Sequence, residues 1–178
     1  MISNIKINLE ILEQMLYFWQ ACSEGEKVDE GYLVKVAEAK EMQLIYDNDL
    51  SAAGIRKVLS AITNRERMSD ATKREWKFWN NNMWVMEEKL IMTNMVRPIK
   101  VLNADALTEK LNAKKDIPCD TVEIVFIPGA EEEYIINENK LIINFFRIKA
   151  DLWDEDNVTL EGKSVLDYIE EKLLEING

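Results

Sequence analysis

The sequence predicts an α+β protein: an array of about four helices in the first half, packed on a small mixed or antiparallel sheet with two helices in the second. Three observations carry that prediction. Apolar residues recur at helical spacing up to residue 95, and runs of β-branched and aromatic residues bounded by turn signals replace them afterwards. Only three prolines and six glycines interrupt 178 residues, which leaves long regular elements intact. The change of pattern coincides with a change of charge: residues 1–95 carry 12 Lys/Arg against 15 Asp/Glu, and residues 96–178 carry 10 against 18. The boundary is therefore drawn at 96, giving a helical subdomain over 1–95 and an α+β subdomain over 96–178, or one compact domain built from both.

The elements follow in order. Ile2, Ile5, Leu9, Leu12, Leu16 and Trp19 alternate spacings of three and four, predicting a first helix with one apolar seam that ends at Ser23-Glu24-Gly25. That seam fits bundle packing within the chain, or a homodimer paired through this helix. Asp29 caps a second helix through about Tyr46, with Leu33, Val36, Ala37, Leu44 and Ile45 towards the core. Leu50, Ile55, Val58, Leu59 and Ile62 mark a third, in which Gly54 permits close helix contact. Ser69-Asp70, or Thr72 with Glu75, starts the fourth.

That fourth segment, Trp76 to Met95, is apolar almost all round. Trp76, Trp79, Met83, Met86 and Leu90 share one helical face, while Trp84, Ile91 and Met95 form a second stripe and Phe78, Val85 and Met92 a third. Such a helix is expected to be central to the fold, with a kink or break at Asn80-Asn81-Asn82. Beyond Arg97-Pro98 the expected elements are a short strand at Ile99–Leu102 and a helix capped by Asn103. A strand at Thr121–Ile127 and a hairpin over residues 133–147 come next. A short strand at Val158–Leu160 and a last helix, whose capping box is Ser164 with Asp167, complete the chain.

Composition limits the chemistry. The chain has no histidine, which removes Ser-His-Asp and Cys-His catalysis, His-ligated zinc, di-iron Glu-x-x-His sites and the commonest general base near neutral pH. Cys22 and Cys119 match no metal or redox spacing, and Asp116 and Asp120 oppose thiolate formation at Cys119. The net charge of −11 argues against nucleic acid, since phosphate is bound by cationic surface. No apolar run is long enough to span a membrane, and the fourth helix lacks the basic face of a membrane-surface helix. An acidic cytoplasmic protein with reduced thiols is the expectation, as a monomer or homodimer.

Two places remain where a site could lie. Trp76, Trp79, Met83 and Trp84 offer adaptable apolar walls for a protein or a small apolar ligand, at the expected junction of the two halves. Asp151, Asp154 and Asp156 offer oxygen ligands of the kind Mg²⁺ or Ca²⁺ takes, although Val158 and Val165 stand where an EF-hand loop needs ligands. The functional expectation is a non-catalytic interaction or small apolar-ligand-binding protein that needs no cofactor. The alternatives are a divalent-cation-dependent enzyme using the clustered carboxylates of the second half, and a dimeric scaffold built on the first helix.

Overall fold

The computed structural model describes residues 1–151, 153, 154 and 157–177. In chain order the first elements are β1 (Asn4–Asn8), α1 (Glu10–Ser23), α2 (Glu30–Glu38), α3 (Ala52–Asn64), α4 (Lys73–Glu87), α5 (Lys89–Lys100) and α6 (Leu107–Lys114). They are followed by β2 (Thr121–Ile127), β3 (Tyr134–Asn137), β4 (Lys140–Asn144), β5 (Ile148–Ala150), β6 (Val158–Leu160), β7 (Lys163–Ser164) and α7 (Val165–Leu173). The class is α+β. The chain divides into two compact units, one made of Met1–Leu9, Leu90–Phe126 and Glu133–Gly178, the other of Glu10–Lys89 and Ile127–Glu132.

The first unit holds the sheets. Four strands lie in the order β1-β2-β4-β3, with β1 parallel to β2 and β3 antiparallel to β4; β5, β6 and β7 form a smaller antiparallel sheet. The first residues are thus a strand and not the start of a helix. Ile5 pairs with Val122 and Ile7 with Ile124, so the alternation Ile5-Lys6-Ile7 outweighs the three-and-four spacing that joins Ile5 to Ile2 and Leu9. The side-chain amide of Asn112 fastens the strand's approach, accepting from Ile2 N at 2.9 Å and donating to Ile2 O at 2.8 Å. Where β1 meets β2, Asn8 Nδ2 donates to Glu123 at 2.8 Å and Lys140 Nζ lies 3.2 Å from the same carboxylate. Burial pushes the Glu123 carboxyl up, but the Asn8 amide and the Lys140 ammonium together hold it below the usual carboxylate range.

Other expectations in this unit are met or corrected one by one. The strand at Thr121–Ile127 and the hairpin form, with Glu138 in the left-handed region at its turn. Ser164 Oγ accepts from Asp167 N at 3.2 Å and caps α7. The expected strand at Ile99–Leu102 does not form, because α5 runs through Pro98 to Lys100. A proline this close to a helix end removes a single internal hydrogen bond, and Met95, Val96 and Ile99 remain buried along one side. Asn103 accepts from Asp105 N in a turn, and α6 starts four residues later than its expected cap.

The second unit holds α1 to α4, with α2 on α3, α3 on α4 and α1 on α4. Asp29 caps α2 through Tyr32 N at 3.0 Å, but α2 stops at Glu38 and a short 3-10 turn over Met42–Ile45 follows. Leu12 and Trp19 of the predicted seam are buried together with Met15 and Phe18 beside them, while Leu9 and Leu16 are half-buried. At the start of α4, Thr72 Oγ1 accepts from Glu75 N at 3.0 Å and Glu75 reaches back to Thr72 N at 3.3 Å, a complete capping box.

Glu75 is buried, its other oxygen 2.5 Å from Lys57 Nζ, and it lies directly over Gly54. A Cβ built at Gly54 would meet Glu75 carbons at 3.2 and 3.3 Å, so α3 and α4 approach this closely because position 54 has no side chain. Replacing Glu75 by alanine is expected to cost about 1–2 kcal/mol through the lost cap and ion pair. Gly54→Ala should be neutral or destabilising in the native protein, but stabilising by about 0.5–1 kcal/mol once Glu75 is alanine, from helix propensity alone. Urea unfolding of the four proteins reads that change of sign; equal effects of Gly54→Ala in both backgrounds would refute the contact.

Candidate interaction surface on the fourth helix

With each residue advancing about 100°, α4 divides into four sides. Its core side is Glu75, Phe78, Asn82 and Val85, all buried. These are spaced three, four and three apart, but the set includes two polar residues and none of the tryptophans. The helix runs unbroken through Asn80-Asn81-Asn82, and the expected kink is absent. Asn82 Oδ1 accepts from Trp19 Nε1 at 2.7 Å and its Nδ2 donates to Phe78 O at 2.8 Å, which satisfies a fully buried amide. The break comes later, at Glu88, whose φ of −105° and ψ of 57° separate α4 from α5.

One flank of α4 is polar and holds the segment Ile127–Glu132. Asn81 Nδ2 donates to Gly129 O and Ala130 O at 3.3 and 3.0 Å, and Arg74 Nη1 lies 2.9 Å from Glu132 Oε2. Arg74 also donates to Ile45 O at 3.2 Å and sits 3.3 Å from Asp47 Oδ2. The basic residues at the start of α4 are therefore split, with Arg74 occupied and Lys73 and Lys77 exposed.

The opposite flank carries Trp76, Trp79, Met83 and Met86, the stripe seen in the sequence. It is only partly covered: Trp76 is 40% exposed and packs edge-on against Trp79 with ring centroids 5.7 Å apart. Trp84, 42% exposed, stands on the outward side with Lys73, Lys77, Asn80 and Glu87. An open groove of about 440 Å³ lined by Lys77, Trp79, Asn80, Asn81, Met83, Trp84 and Glu87 runs along this side. A second, of about 300 Å³, lies between α1, α3 and α4 against Cys22, Ile62, Arg65 and Met86, and shares Met83 and Glu87 with the first. The four residues singled out in the sequence are thus neighbours on one helix surface. Lys73, Lys77, Asn80 and Glu87 complete it, and the same 100° arithmetic applied to polar residues would have found them.

The charges of this face are arranged against the helix. On this side Lys73 stands in the first turn, where the macrodipole favours anions and the core-side Glu75 complements it, and the last turn has no basic residue but ends in Glu87. Lys73 and Lys77, four apart, repel one another. Among the described residues neither lysine, nor Glu87, has an ion-pair partner.

The remaining candidates are elsewhere. Asp151 accepts from Trp153 N at 2.8 Å and Asp154 is exposed, while Asp156 lies outside the described residues. Among the described residues no three acidic or thiol side chains gather as a metal site would need. Cys22 and Cys119 are both free thiols; burial pushes each up, and Asp120 adds to this at Cys119. No described helix is long and apolar enough to cross a membrane. No protein-family model, curated protein or solved structure matches the chain.

Proposed function

We propose that this is a non-catalytic interaction protein that docks a protein partner on the outward side and Trp/Met flank of α4. The exposure of Trp76 and Trp84, 40% and 42%, on a helix whose core side is filled without them carries the reading. Scattered exposed apolar residues are ordinary, but two tryptophans flanking Trp79 and Met83 make a continuous aromatic and thioether patch. Tryptophan is the residue most enriched in the energetic centres of interfaces, and methionine adapts its shape to a partner. The groove is open along its length. That favours a partner's side chains over a small apolar ligand, which binds best where most of its own surface is enclosed. The absence of histidine and the raised thiols support a role without covalent chemistry.

A photo-crosslinking amino acid placed at Asn80 in living cells tests this. A discrete protein adduct is expected, weakened at least tenfold by Trp76→Ala with Trp84→Ala. The same probe at the exposed Lys110 of α6 should give none. No adduct at position 80, or one equally strong at 110, would overturn the reading.

A further inference from the structure

We propose, on the reading of α4 as a docking surface, that the partner seated there is a second copy of this chain, its α4 running antiparallel about a twofold axis beside Asn80. The outward side has the symmetry such a pairing needs. In an antiparallel pair centred on residue 80, Trp76 of one copy faces Trp84 of the other, Lys73 faces Glu87, Lys77 faces Met83, and Asn80 faces itself. All of these residues but the half-buried Met83 are exposed, and all lie on the outward side or its apolar edge.

The electrostatics select this partner over another. On this face Lys73 at the start of α4 and Glu87 at its end oppose the macrodipole, and among the described residues the Lys73–Lys77 repulsion meets no ion-pair partner. An antiparallel copy reverses each of these. It sets Glu87 opposite Lys73 with Glu88 next to that pair, brings the lysines to the carbonyl end of the facing helix, and opposes the two helix dipoles. The aromatic residues supply the contact: each copy contributes one partly exposed tryptophan from each end of the helix, so two tryptophan pairs flank the axis. The net charge of −11 per copy works against association, although at about 0.15 M salt the Debye length of about 8 Å confines that repulsion to the contact region. One helix face is a small interface, so the dimer is weak and concentration-dependent.

Sedimentation equilibrium of the full chain from about 10 μM to about 1 mM is expected to show a monomer–dimer equilibrium, this range being suited to a small interface. Lys73→Glu with Lys77→Glu, and separately Glu87→Lys with Glu88→Lys, should each weaken the dimer at least tenfold, with an unchanged circular dichroism spectrum. An equimolar mixture of the two variants should recover it as a heterodimer, seen in native mass spectra. Both variants remain net acidic, so recovery reports local pairing and not overall attraction. Trp84→Ala should abolish dimers of either kind. A wild-type chain that stays monomeric at the highest concentration would overturn the proposal, as would a dimer indifferent to charge reversal or a mixture that fails to recover. The crosslink at Asn80 separates this from the broader reading. An adduct of two chains supports both, an adduct to a different protein overturns only the self-pairing, and no adduct overturns both.

Discussion

Replacing Phe78 by alanine is expected to destabilise the protein by about 3–5 kcal/mol, whereas Trp84→Ala, a larger truncation six residues along the same helix, should cost less than about 1 kcal/mol. Phe78 is fully buried on the side of α4 that meets its neighbouring helices, and removing its ring leaves a cavity that the rigid surroundings fill only in part. Trp84 keeps 42% of its surface in water, so its loss removes few contacts and opens no cavity. Urea unfolding followed by far-ultraviolet circular dichroism measures both. If Trp84→Ala proved as costly as Phe78→Ala, the rotation of α4 about its axis would be wrong, and the docking surface with it.

Asn82→Leu should cost about 2–3 kcal/mol, because Trp19 would lose its 2.7 Å acceptor where water cannot replace it. Trp19→Phe should also be costly, through lost volume and through a buried Asn82 oxygen deprived of its donor. The double variant should be more stable than the sum of the two by about 1–2 kcal/mol, since removing both halves of a buried hydrogen bond avoids the penalty of orphaning either. Strict additivity in that cycle would show that the bond contributes nothing. The pair also explains why three consecutive asparagines do not break the helix. Asn82 and Asn81 exchange their poor helix propensity for tertiary hydrogen bonds, one to α1 and one to the segment at Gly129–Ala130, while Asn80 points to solvent.

The candidate surface was half visible from the residues alone. Trp76, Trp79, Met83 and Met86 share a flank because helical geometry requires it, and that held. Their exposure was not visible, since three apolar stripes competed for the core and periodicity does not rank them. Phe78 and Val85 prevailed over the tryptophans because Asn82 between them finds Trp19 and Glu75 finds Lys57. Both partners lie far from α4 in sequence. Hydrophobicity counted along the helix gives such polar residues the wrong sign, so the stripe that contains them looks like the outside.

What the sequence by itself determined is whatever depends on a few neighbouring residues. That covers the α+β class, the caps at Asp29, Thr72–Glu75 and Ser164, the hairpin over β3 and β4, and the lack of histidine chemistry. Only the tertiary structure decided that residues 4–8 form a strand, that α4 stops at Glu87 while α5 passes through Pro98, and which side of α4 meets water. The reason is common to all three. Ile5 fits the helical spacing with Ile2 and Leu9 as well as the alternation with Ile7, and only a strand more than a hundred positions away, at Thr121–Ile127, offers the backbone hydrogen bonds that settle it. Long-range pairing and burial leave no periodic mark on the segment they act on, so they are readable only once the chain is folded.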